Sequence, residues 1–319
     1  MVKKRLFIVD VMAMAFRNYH AFGVQGLKNS NNLPTSATFG STKFLLKLIQ
    51  DEKPDYLVFA TDSDKKTFRH EIFREYKANR SEMPEDLSAQ IPYLFRILET
   101  ISNPTLKMPG LEADDLIGSL VTKFKSDSLH CYIVSGDKDF MQLIDDDVSL
   151  YVPRKGGEIS IVGKDGVFEK FGCSPSKVTE ILALTGDPSD NVPGVPGIGE
   201  KGACTLIQKY GGLDGIYANI DKITNKKQQS ALIENKDIAY LSKKLVTIKT
   251  DADVPSSLEE FRCDRERIIS SKKLLSLMEE LEFQSLSKML RENILQKTAL
   301  ESEEYEKTGF QNSSDQENE

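Results

Sequence analysis

The chain contains 319 residues with a formal net charge of −7, and 39% of its residues are apolar while 29% are charged. This composition supports one large folded domain or two ordinary ones and excludes a fully disordered chain. No apolar run approaches the roughly 18 residues that span a membrane. The first apolar run, Leu6–Asp10, is too short for the core of a signal peptide, so we expect a cytoplasmic protein that binds no membrane.

The negative charge is concentrated at the end of the chain. Glu301–Glu319 contains seven acidic residues and one lysine, and so carries −6 of the total of −7. The remainder is close to neutral, and the net charge therefore does not exclude a phosphate-binding surface on the body of the protein. Cysteines and histidines are few and scattered, with no CxxC pair, so we expect reduced thiols and neither a zinc site nor disulfides.

Short apolar runs alternate with helical patterns in the first half of the chain. The expected strands are Leu6–Asp10, Tyr56–Asp62, Cys131–Ser135 and Val148–Val152. The expected helices are Ala37–Ile49, Leu87–Ile101 and Ala113–Lys125. Because strands separated by helix-length segments form right-handed βαβ units, the pattern predicts an α/β domain with a mainly parallel sheet and helices on both faces.

The pattern changes after Pro153. Gly156–Ile161 is typical of a small hairpin, and from about Val167 the periodicity is helical with glycine turn signals. We therefore predict an α/β domain over residues 1–167, an all-α domain over 168–292 and an acidic disordered tail or linker over 293–319.

Three of the expected strands end at or just before an aspartate, and these are Asp10, Asp62 and Asp137. Because the carboxyl ends of parallel strands share one edge of a sheet, these side chains should converge. Asp139 follows two residues later, and further acids open the helix that begins near residue 113, namely Glu112, Asp114 and Asp115. Taken singly, each acid can instead cap a helix or complement its dipole.

A cluster of carboxylates requires cations. Two carboxylates about 4 Å apart repel each other by roughly 4 kcal/mol at an effective dielectric constant of about 20. Oxygen ligands without nearby histidine or cysteine select a hard ion, Mg²⁺ or Mn²⁺. Two such ions can hold a phosphodiester between them, so the cluster predicts metal-assisted hydrolysis.

A second pair of acids precedes a glycine-rich turn. Asp187 and Asp190 fit either further metal ligands or a helix start, with Asp187 as N-cap and Pro188 as the first helical residue. The next residues resemble a helix-hairpin-helix element, in which glycines let the backbone approach a DNA phosphate and a helix N-terminus offers free N–H groups. An ordinary helix-turn-helix corner is the alternative. The residues expected to contact DNA here are Gly194, Gly197, Ile198, Gly199 and Lys201.

Residues 65–80 carry six Lys or Arg against two Glu and begin close to Asp62. This position predicts a basic segment over the acidic cluster, in which Phe68, Phe73 and Tyr76 stack on an unpaired base. A solvated helix face is the alternative. The basic residues of this segment are Lys65, Lys66, Arg69, Arg74, Lys77 and Arg80.

Together these motifs resemble the bacterial 5′-3′ exonuclease and flap endonuclease family, which includes the N-terminal 5′ nuclease domain of DNA polymerase I. The similarity spans about residues 4–290 and is strongest at Thr67–His70, Glu75–Arg80, Glu112–Asp115, Gly136–Asp139 and Gly186–Gly199. The resemblance implies a PIN-like three-layer α/β/α domain followed by an all-α helix-hairpin-helix (helix-three-turn-helix) domain. It also implies a helical arch at about residues 72–98, through which a 5′ single strand passes.

The resemblance implies roles for individual residues. Those expected to contact phosphates near the scissile bond are Arg17, Arg69, Lys77 and Arg80. Tyr76 would be the stacking aromatic, and the Gly194–Gly199 turn would hold K⁺ on backbone carbonyls. None of the family's metal ligands is missing, and they fall on Asp10, Asp62, Glu112, Asp114, Asp115, Asp137, Asp139, Asp187 and Asp190. Two departures from the family pattern, Val11 after the first aspartate and Lys65-Lys66 before Thr67, leave these ligands unchanged.

The expected activity is hydrolysis of phosphodiesters near 5′ single-strand/duplex junctions, by a 5′-3′ exonuclease and flap endonuclease of primer removal and DNA repair. We expect two or more Mg²⁺ ions, with Mn²⁺ able to substitute. The expected partners are 5′-flap, nicked or gapped DNA and RNA primer–DNA junctions, bound by a monomer at the nucleoid. Two other functions stay open: a non-catalytic DNA-junction binder that uses the glycine turn alone, and a metal phosphatase of small substrates that needs neither the turn nor the basic segment.

Overall fold

The structure, a computed structural model, describes residues 3–23, 26–63, 65–101 and 103–314, with side chains up to residue 299. Contacts divide the chain into two compact units. The first comprises Met1–Met14, Pro54–Glu82 and Pro104–Arg262, and the second comprises Ala15–Lys53, Met83–Asn103 and Cys263–Glu319. These two units do not coincide with the domains predicted to end at residues 167 and 292. A change of periodicity along the chain indicates a change in the type of secondary structure, and it does not show which segments contact each other. The domain boundaries therefore stay a prediction.

The first unit contains a single sheet made of six strands of the described residues. They are β1 (Lys4–Asp10), β2 (Tyr56–Ala60), β3 (Thr105–Leu106), β4 (Leu129–Val134), β5 (Val148–Pro153) and β6 (Ile159–Val162). The spatial order is β3-β2-β1-β4-β5-β6. All neighbours are parallel except β5 and β6, which form an antiparallel hairpin. The mainly parallel sheet expected from the sequence is confirmed.

Fifteen α-helices lie in the described residues. They are α1 (Val11–Ala21), α2 (Ser36–Glu52), α3 (Phe68–Ile72), α4 (Glu85–Ser88), α5 (Ile91–Ile101), α6 (Ala113–Phe124), α7 (Lys164–Phe171), α8 (Val178–Thr185), α9 (Glu200–Tyr210), α10 (Leu213–Ala218), α11 (Lys226–Glu234), α12 (Lys236–Val246), α13 (Arg265–Ile269), α14 (Lys272–Glu280) and α15 (Gln284–Ser314). The region after β6 is helical, as predicted. Within the described ranges, no helix is both long enough and apolar enough to cross a membrane.

The register of the parallel strands aligns their carboxyl ends. Asp10 of β1 is opposite Ala60 of β2, and Val9 is opposite Val134 of β4. Residues Leu6–Val9 are fully buried, as is usual for a central parallel strand, and α6 packs against β1, β2 and β4. The loops after these three strands therefore begin at one level along the sheet edge.

The second unit is helical. Gln90 accepts hydrogen bonds from the backbone N–H groups of Ala37 (2.8 Å) and Thr38 (3.2 Å), which ties the start of α2 to the residue before α5. The rings of Phe39 and Phe283 meet edge to face with centroids 5.2 Å apart. An aromatic pair and a buried amide thus join segments that are distant in the chain.

Three elements differ from the sequence-based expectation. The helix expected over Leu87–Ile101 is divided into α4 and α5, because Pro92 lacks an N–H and fits only the first turn of a helix. The helix α1 follows β1 without a turn signal and was not predicted. The backbone of α15 is helical through Ser314 where a disordered tail was expected, in line with the many Glu, Lys, Leu and Gln residues there; residues 315–319 lie outside the described residues.

A compact turn joins α8 to α9 in the first unit. The backbones of Asp187 and Val192 exchange two hydrogen bonds of 3.0 and 2.8 Å, with a short 3₁₀ segment between them. Gly186 and Gly194 both have positive φ and pack backbone to backbone, since a Cβ on Gly194 would lie 2.4 Å from the Gly186 nitrogen. The tight glycine turn between two helices, as predicted from the sequence, is confirmed.

Replacing Gly194 by alanine should therefore destabilise the protein more than the same change at Gly197. Gly197 also has positive φ (79°), but a Cβ there meets nothing within 4 Å. We expect a loss of about 1 kcal/mol for Gly197→Ala from the left-handed backbone alone. For Gly194→Ala we expect about 2–4 kcal/mol, because the packed backbones must also separate. Urea unfolding of the two variants measures the difference, and equal losses would contradict the close packing of this turn.

Candidate active site

The aspartates at the ends of β1 and β4 lie together. Asp10 accepts hydrogen bonds from the backbone N–H of Ala13 (3.0 Å) and from the Ser135 hydroxyl (3.3 Å). The same hydroxyl oxygen accepts a hydrogen bond from the backbone N–H of Asp137 (3.2 Å). Ser135 therefore links the two strand ends. No role was predicted for Ser135 from the sequence, although its place between β4 and Asp137 was a usable signal.

The start of α6 brings three more acids to this edge. Glu112 is the N-cap of α6, and its backbone N–H donates to the Asp115 carboxylate (3.2 Å) in a capping box. Asp62, after β2, accepts a hydrogen bond from the Ala113 N–H (2.9 Å), which joins β2 to the same helix start. Asp114 lies between these residues. A helix N-terminus favours nearby negative charge, which helps to retain the acids here.

The second pair of acids belongs to the same pocket. A cavity of about 10 Å³, enough for about one water molecule or a small ion, is lined by carboxylates of three separate segments. They are Glu112, Asp114, Asp139, Asp187 and Asp190. Asp137 and Asp187 also cap short 3₁₀ helices, by accepting from the N–H groups of Asp139 and Ser189 (both 2.9 Å). Asp137 and Asp187 thus cap helices and also belong to the acidic cluster, so the two interpretations do not exclude each other.

Burial and mutual repulsion change the acidity of these groups. Burial, with additional repulsion from Asp62 and Asp137, raises the pKa of Asp10 to about 7. Burial and the charge of Asp137 raise the pKa of Asp139 to about 8. The pKa of Asp114 is raised well above its ordinary value by burial and by Asp10 and Asp137. The cluster therefore holds more negative charge than the protein around it neutralises.

The cluster has features of a divalent-cation site. Its donors are oxygen atoms, which hard cations prefer. The Oδ1 atom of Asp139 is buried, and it has no hydrogen-bond partner among the described residues. In the described part of the chain, however, no three His, Cys, Asp or Glu side chains already surround a common point as ligands of one ion. Cationic side chains of the protein instead contact several of the acids.

Lys77 and Arg80 are the principal cations at the cluster. The Lys77 ammonium lies 2.7 Å from Glu112 and 3.6 Å from Asp190, and Arg80 pairs with the other oxygen of Asp190. Burial alone would lower the pKa of Lys77, but Glu112 and Asp190 outweigh it and raise that pKa. The pKa of Asp190 is lowered despite its burial, because Lys77 and Arg80 stabilise the carboxylate. Both cations of the basic segment thus contact the acidic cluster, and their predicted contact with phosphates stays a prediction.

Arg69 and Asp115 form a buried ion pair. Two Arg69 nitrogens donate to the two Asp115 oxygens at 2.8 Å each, and Arg69 also donates to the carbonyls of Leu245 (2.8 Å) and Thr247 (3.1 Å). Asp115 has no exposed surface and accepts a further bond from the Lys249 N–H (3.0 Å). The predicted roles of Arg69 as a phosphate contact and of Asp115 as a metal ligand do not fit this placement, because their polar atoms are already paired.

Tyr76 is also placed differently from the prediction. Its side chain is 4% exposed, and its hydroxyl contacts Glu112 (3.0 Å) and Asp190 (2.9 Å). Its ring meets His70 edge to face, with centroids 5.4 Å apart. The pKa of Tyr76 is raised by burial and by the two carboxylates, so the hydroxyl stays protonated and donates to them. A ring buried in this way is not available to stack on a base.

The remaining predicted contacts fall into three groups. The basic residues Lys65, Lys66, Arg74 and Lys201 are exposed, and the last of these lies in the first turn of α9. Ile198 is 4% exposed, so its side chain packs in the interior and only its backbone could contact DNA. Arg17 lies in α1, in the second compact unit.

Comparison with known proteins places this geometry in a family. Residues 5–172 match the model of the 5′-3′ exonuclease N-terminal resolvase-like domain, and residues 173–269 match that of the 5′-3′ exonuclease C-terminal SAM fold. The chain belongs to the 5′-3′ exonuclease family. The resemblance noted in the sequence is thereby confirmed, and with it the class of enzyme, a nuclease.

Curated relatives include DNA polymerase I of Bacillus caldotenax, 37% identical over 290 residues, and of Bacillus subtilis (strain 168), 35% identical over 295 residues. These matches cover 90% and 91% of this chain but only 32% and 33% of the relatives, so the chain spans about a third of their length.

Solved structures share the fold. T5 D15 protein, co-crystallized with metal ions, superposes with a TM-score of 0.63 at 22% identity, covering 90% of this chain and 100% of that one. The catalytic core of Rad2 in complex with DNA substrate gives a TM-score of 0.57 at 16% identity, covering 88% of both chains. At these identities the likeness concerns the fold.

Removing the Arg69 side chain should cost much more stability than removing an exposed arginine with the same pairing geometry. Arg69→Ala leaves the buried Asp115 charge unpaired, for which we expect a loss of about 3–5 kcal/mol. Arg96 is the matched control, because it pairs with both oxygens of Glu280 at 2.7 Å while its side chain is 48% exposed. Arg96→Ala should cost about 1 kcal/mol or less. Chemical unfolding compares them, and equal losses would contradict an anchoring role for Arg69.

Proposed function

We propose that this chain is a divalent-metal-dependent, structure-specific 5′ nuclease that hydrolyses phosphodiesters near 5′ single-strand/duplex junctions of DNA. The observation that carries the proposal is the convergence of acids from separate chain segments on one buried edge, where the pKa values of Asp10, Asp114, Asp137 and Asp139 are raised. Family membership supports the same conclusion. Buried carboxylates in this number need cations to be ionised together.

The cations would be two or more Mg²⁺ ions, with Mn²⁺ able to substitute. Divalent ions supply charge stabilisation for the phosphodiester and acidify an attacking water. The residues proposed to hold them are Asp10, Asp62, Glu112, Asp114, Asp137, Asp139, Asp187 and Asp190, while Asp115 stabilises this group from below through Arg69. T5 D15 protein was co-crystallized with metal ions, and T5 5′-exonuclease is described with bound zinc, which supports a divalent site in this chain.

The side chains of the protein have defined tasks in this proposal. Lys77 and Arg80 neutralise Glu112 and Asp190 in the present arrangement, and they would turn to the scissile phosphate when ions take over the carboxylates. Tyr76, whose hydroxyl bridges the same two acids, keeps them in place. Burial of the cluster excludes bulk water and so strengthens each of these interactions.

The DNA would bind through backbone contacts and basic side chains. The turn ending at Gly199 and the start of α9 with Lys201 offer N–H groups and positive charge to a phosphate, and carbonyls of the turn would hold K⁺. Lys65, Lys66 and Arg74 would contact the strand near the acids, and Arg17 would contribute from α1. T5 D15 flap endonuclease and the catalytic core of Rad2 were each solved in complex with DNA, which supports this class of partner.

The substrates we propose are 5′-flap, nicked and gapped DNA and RNA primer–DNA junctions, cut by a monomer at the nucleoid of the cytoplasm during replication and repair. Two other functions are less well supported. A non-catalytic junction binder does not account for the acidic cluster. A phosphatase of small substrates does not account for the glycine turn and the basic segment.

Asp137→Ala should abolish Mg²⁺-dependent cleavage of a 5′-flap DNA while leaving flap binding measurable. We expect single-turnover cleavage to fall by about 100-fold or more, because a charge-stabilising interaction at the reacting phosphate is lost. Asp146→Ala is the matched control, since Asp146 belongs to the next loop, is 81% exposed and pairs with Lys164. Its cleavage rate should equal that of the unmodified protein. Normal cleavage by Asp137→Ala would refute the proposed site.

A further inference from the structure

A second cleft opens on the first unit, beside the carboxylate pocket. It has a volume of about 810 Å³, within the range of sites that hold small organic molecules. Thr247 and Lys249 line this cleft, whereas Leu245, Val246 and Ile248 line the carboxylate pocket. Neighbouring residues at the end of α12 and just after it thus line both cavities, and the carbonyls of this same stretch bind Arg69.

The floor of the cleft is apolar and partly aromatic. Phe68, Ile72, Leu111 and Tyr240 line it. Ile72 is 44% exposed, one of a small set of large apolar side chains of the described residues that remain open to solvent. The Arg69 guanidinium lies against the Phe68 ring, 4.6 Å from its centroid, and the Tyr240 hydroxyl is fixed by Asp214 at 2.6 Å. The rings are thus held in place before any ligand arrives.

The rim of the cleft is positively charged. Lys243, Lys244 and Lys249 line it, with Asp251 as the acidic residue. Glu180 neutralises Lys243 through a contact of 2.5 Å, and Lys249 lies 3.6 Å from Asp251. Lys244 is exposed, and no carboxylate of the described residues pairs with it. An apolar floor with a cationic rim matches an aromatic ligand that carries a negative charge.

We propose that this cleft binds one unpaired nucleotide of the DNA substrate, with its base on Phe68, Ile72 and Tyr240 and its phosphate at Lys244 and Lys249. The inference rests on the proposed function. Aromatic and aliphatic side chains accept any base by stacking, and lysines at the edge neutralise the backbone. Because neighbouring residues line both cavities, an occupant of the cleft lies close to the acids. A nucleotide of the same strand that is cut at the acids can therefore occupy the cleft. An acidic peptide would match the charge but has no such connection.

The test combines a change in the cleft with a change in the DNA. In a 5′-flap substrate, an abasic nucleotide is placed in turn at each position around the junction, and binding to the full chain is measured by fluorescence anisotropy with Ca²⁺ in place of Mg²⁺. At one position the missing base should weaken binding by about five-fold or more. The Ile72→Asp variant should bind the normal flap about as weakly as the unmodified protein binds the flap with that abasic position. Removing the base at that position should weaken binding to the variant no further. Lys244→Glu, an exposed change that should leave the melting temperature unaltered, should weaken the normal flap similarly.

Ile233→Asp is the control, because Ile233 is also a helical isoleucine, 56% exposed, and lies in α11 outside the cleft. It should reproduce the abasic profile of the unmodified protein. Abasic losses that persist in full in Ile72→Asp, or a flat profile in the unmodified protein, would overturn the assignment and leave the cleft to another occupant such as an acidic peptide. Mg²⁺-dependent cleavage is recorded on the same samples. Absence of cleavage by the unmodified protein would contradict the proposed function, whereas normal cleavage with a flat abasic profile would contradict only the role of the cleft.

Discussion

The structure depends on the electrostatic repulsion among carboxylates that a parallel sheet brings to one edge. Strand register aligns Asp10 with the residues leading to Asp62 and Asp137, and the start of α6 adds Glu112 and Asp114. Such a group can stay buried only if protons, cationic side chains or bound cations offset its charge. The protein offsets part of this charge itself, through the raised pKa values and through Lys77 and Arg80. In the proposed function, the charge that remains would supply the binding energy for divalent ions.

The buried pair of Arg69 and Asp115 connects this cluster to the rest of the first unit. Arg69 belongs to the basic segment and Asp115 to α6, and the two carbonyls that Arg69 binds belong to the last turn of α12 and to the residue after it. Three segments distant in the chain therefore share one hydrogen-bonded junction, which is costly to disrupt because an unpaired charge would remain inside. Arg69 itself lines the carboxylate pocket, and its neighbour Phe68 lines the apolar cleft.

The sequence predicted those features that have a local signature. The four longer parallel strands, helices α2 and α6 and the convergence of Asp10, Asp62 and Asp137 follow from apolar periodicity and from the common edge of parallel strands. The roles of Tyr76, Arg69 and Asp115 did not, because residue type shows neither burial nor partner: an arginine in a basic run looks the same whether it faces solvent or an internal aspartate. Backbone acceptors such as the carbonyls after α12 have no signature in a sequence at all.

If cations replace protons on the buried acids, Mg²⁺ binding should release protons, and this release can be measured directly. Because the pKa values of Asp10 and Asp139 are raised to about 7 and about 8, both groups are substantially protonated at pH 7, and Mg²⁺ must displace those protons. Calorimetric titration in buffers of different ionisation enthalpy should show protons released at pH 7 and fewer at pH 9, with less release in Asp10→Asn. Mg²⁺ binding without proton release at pH 7 would contradict the exchange of protons for cations on these acids.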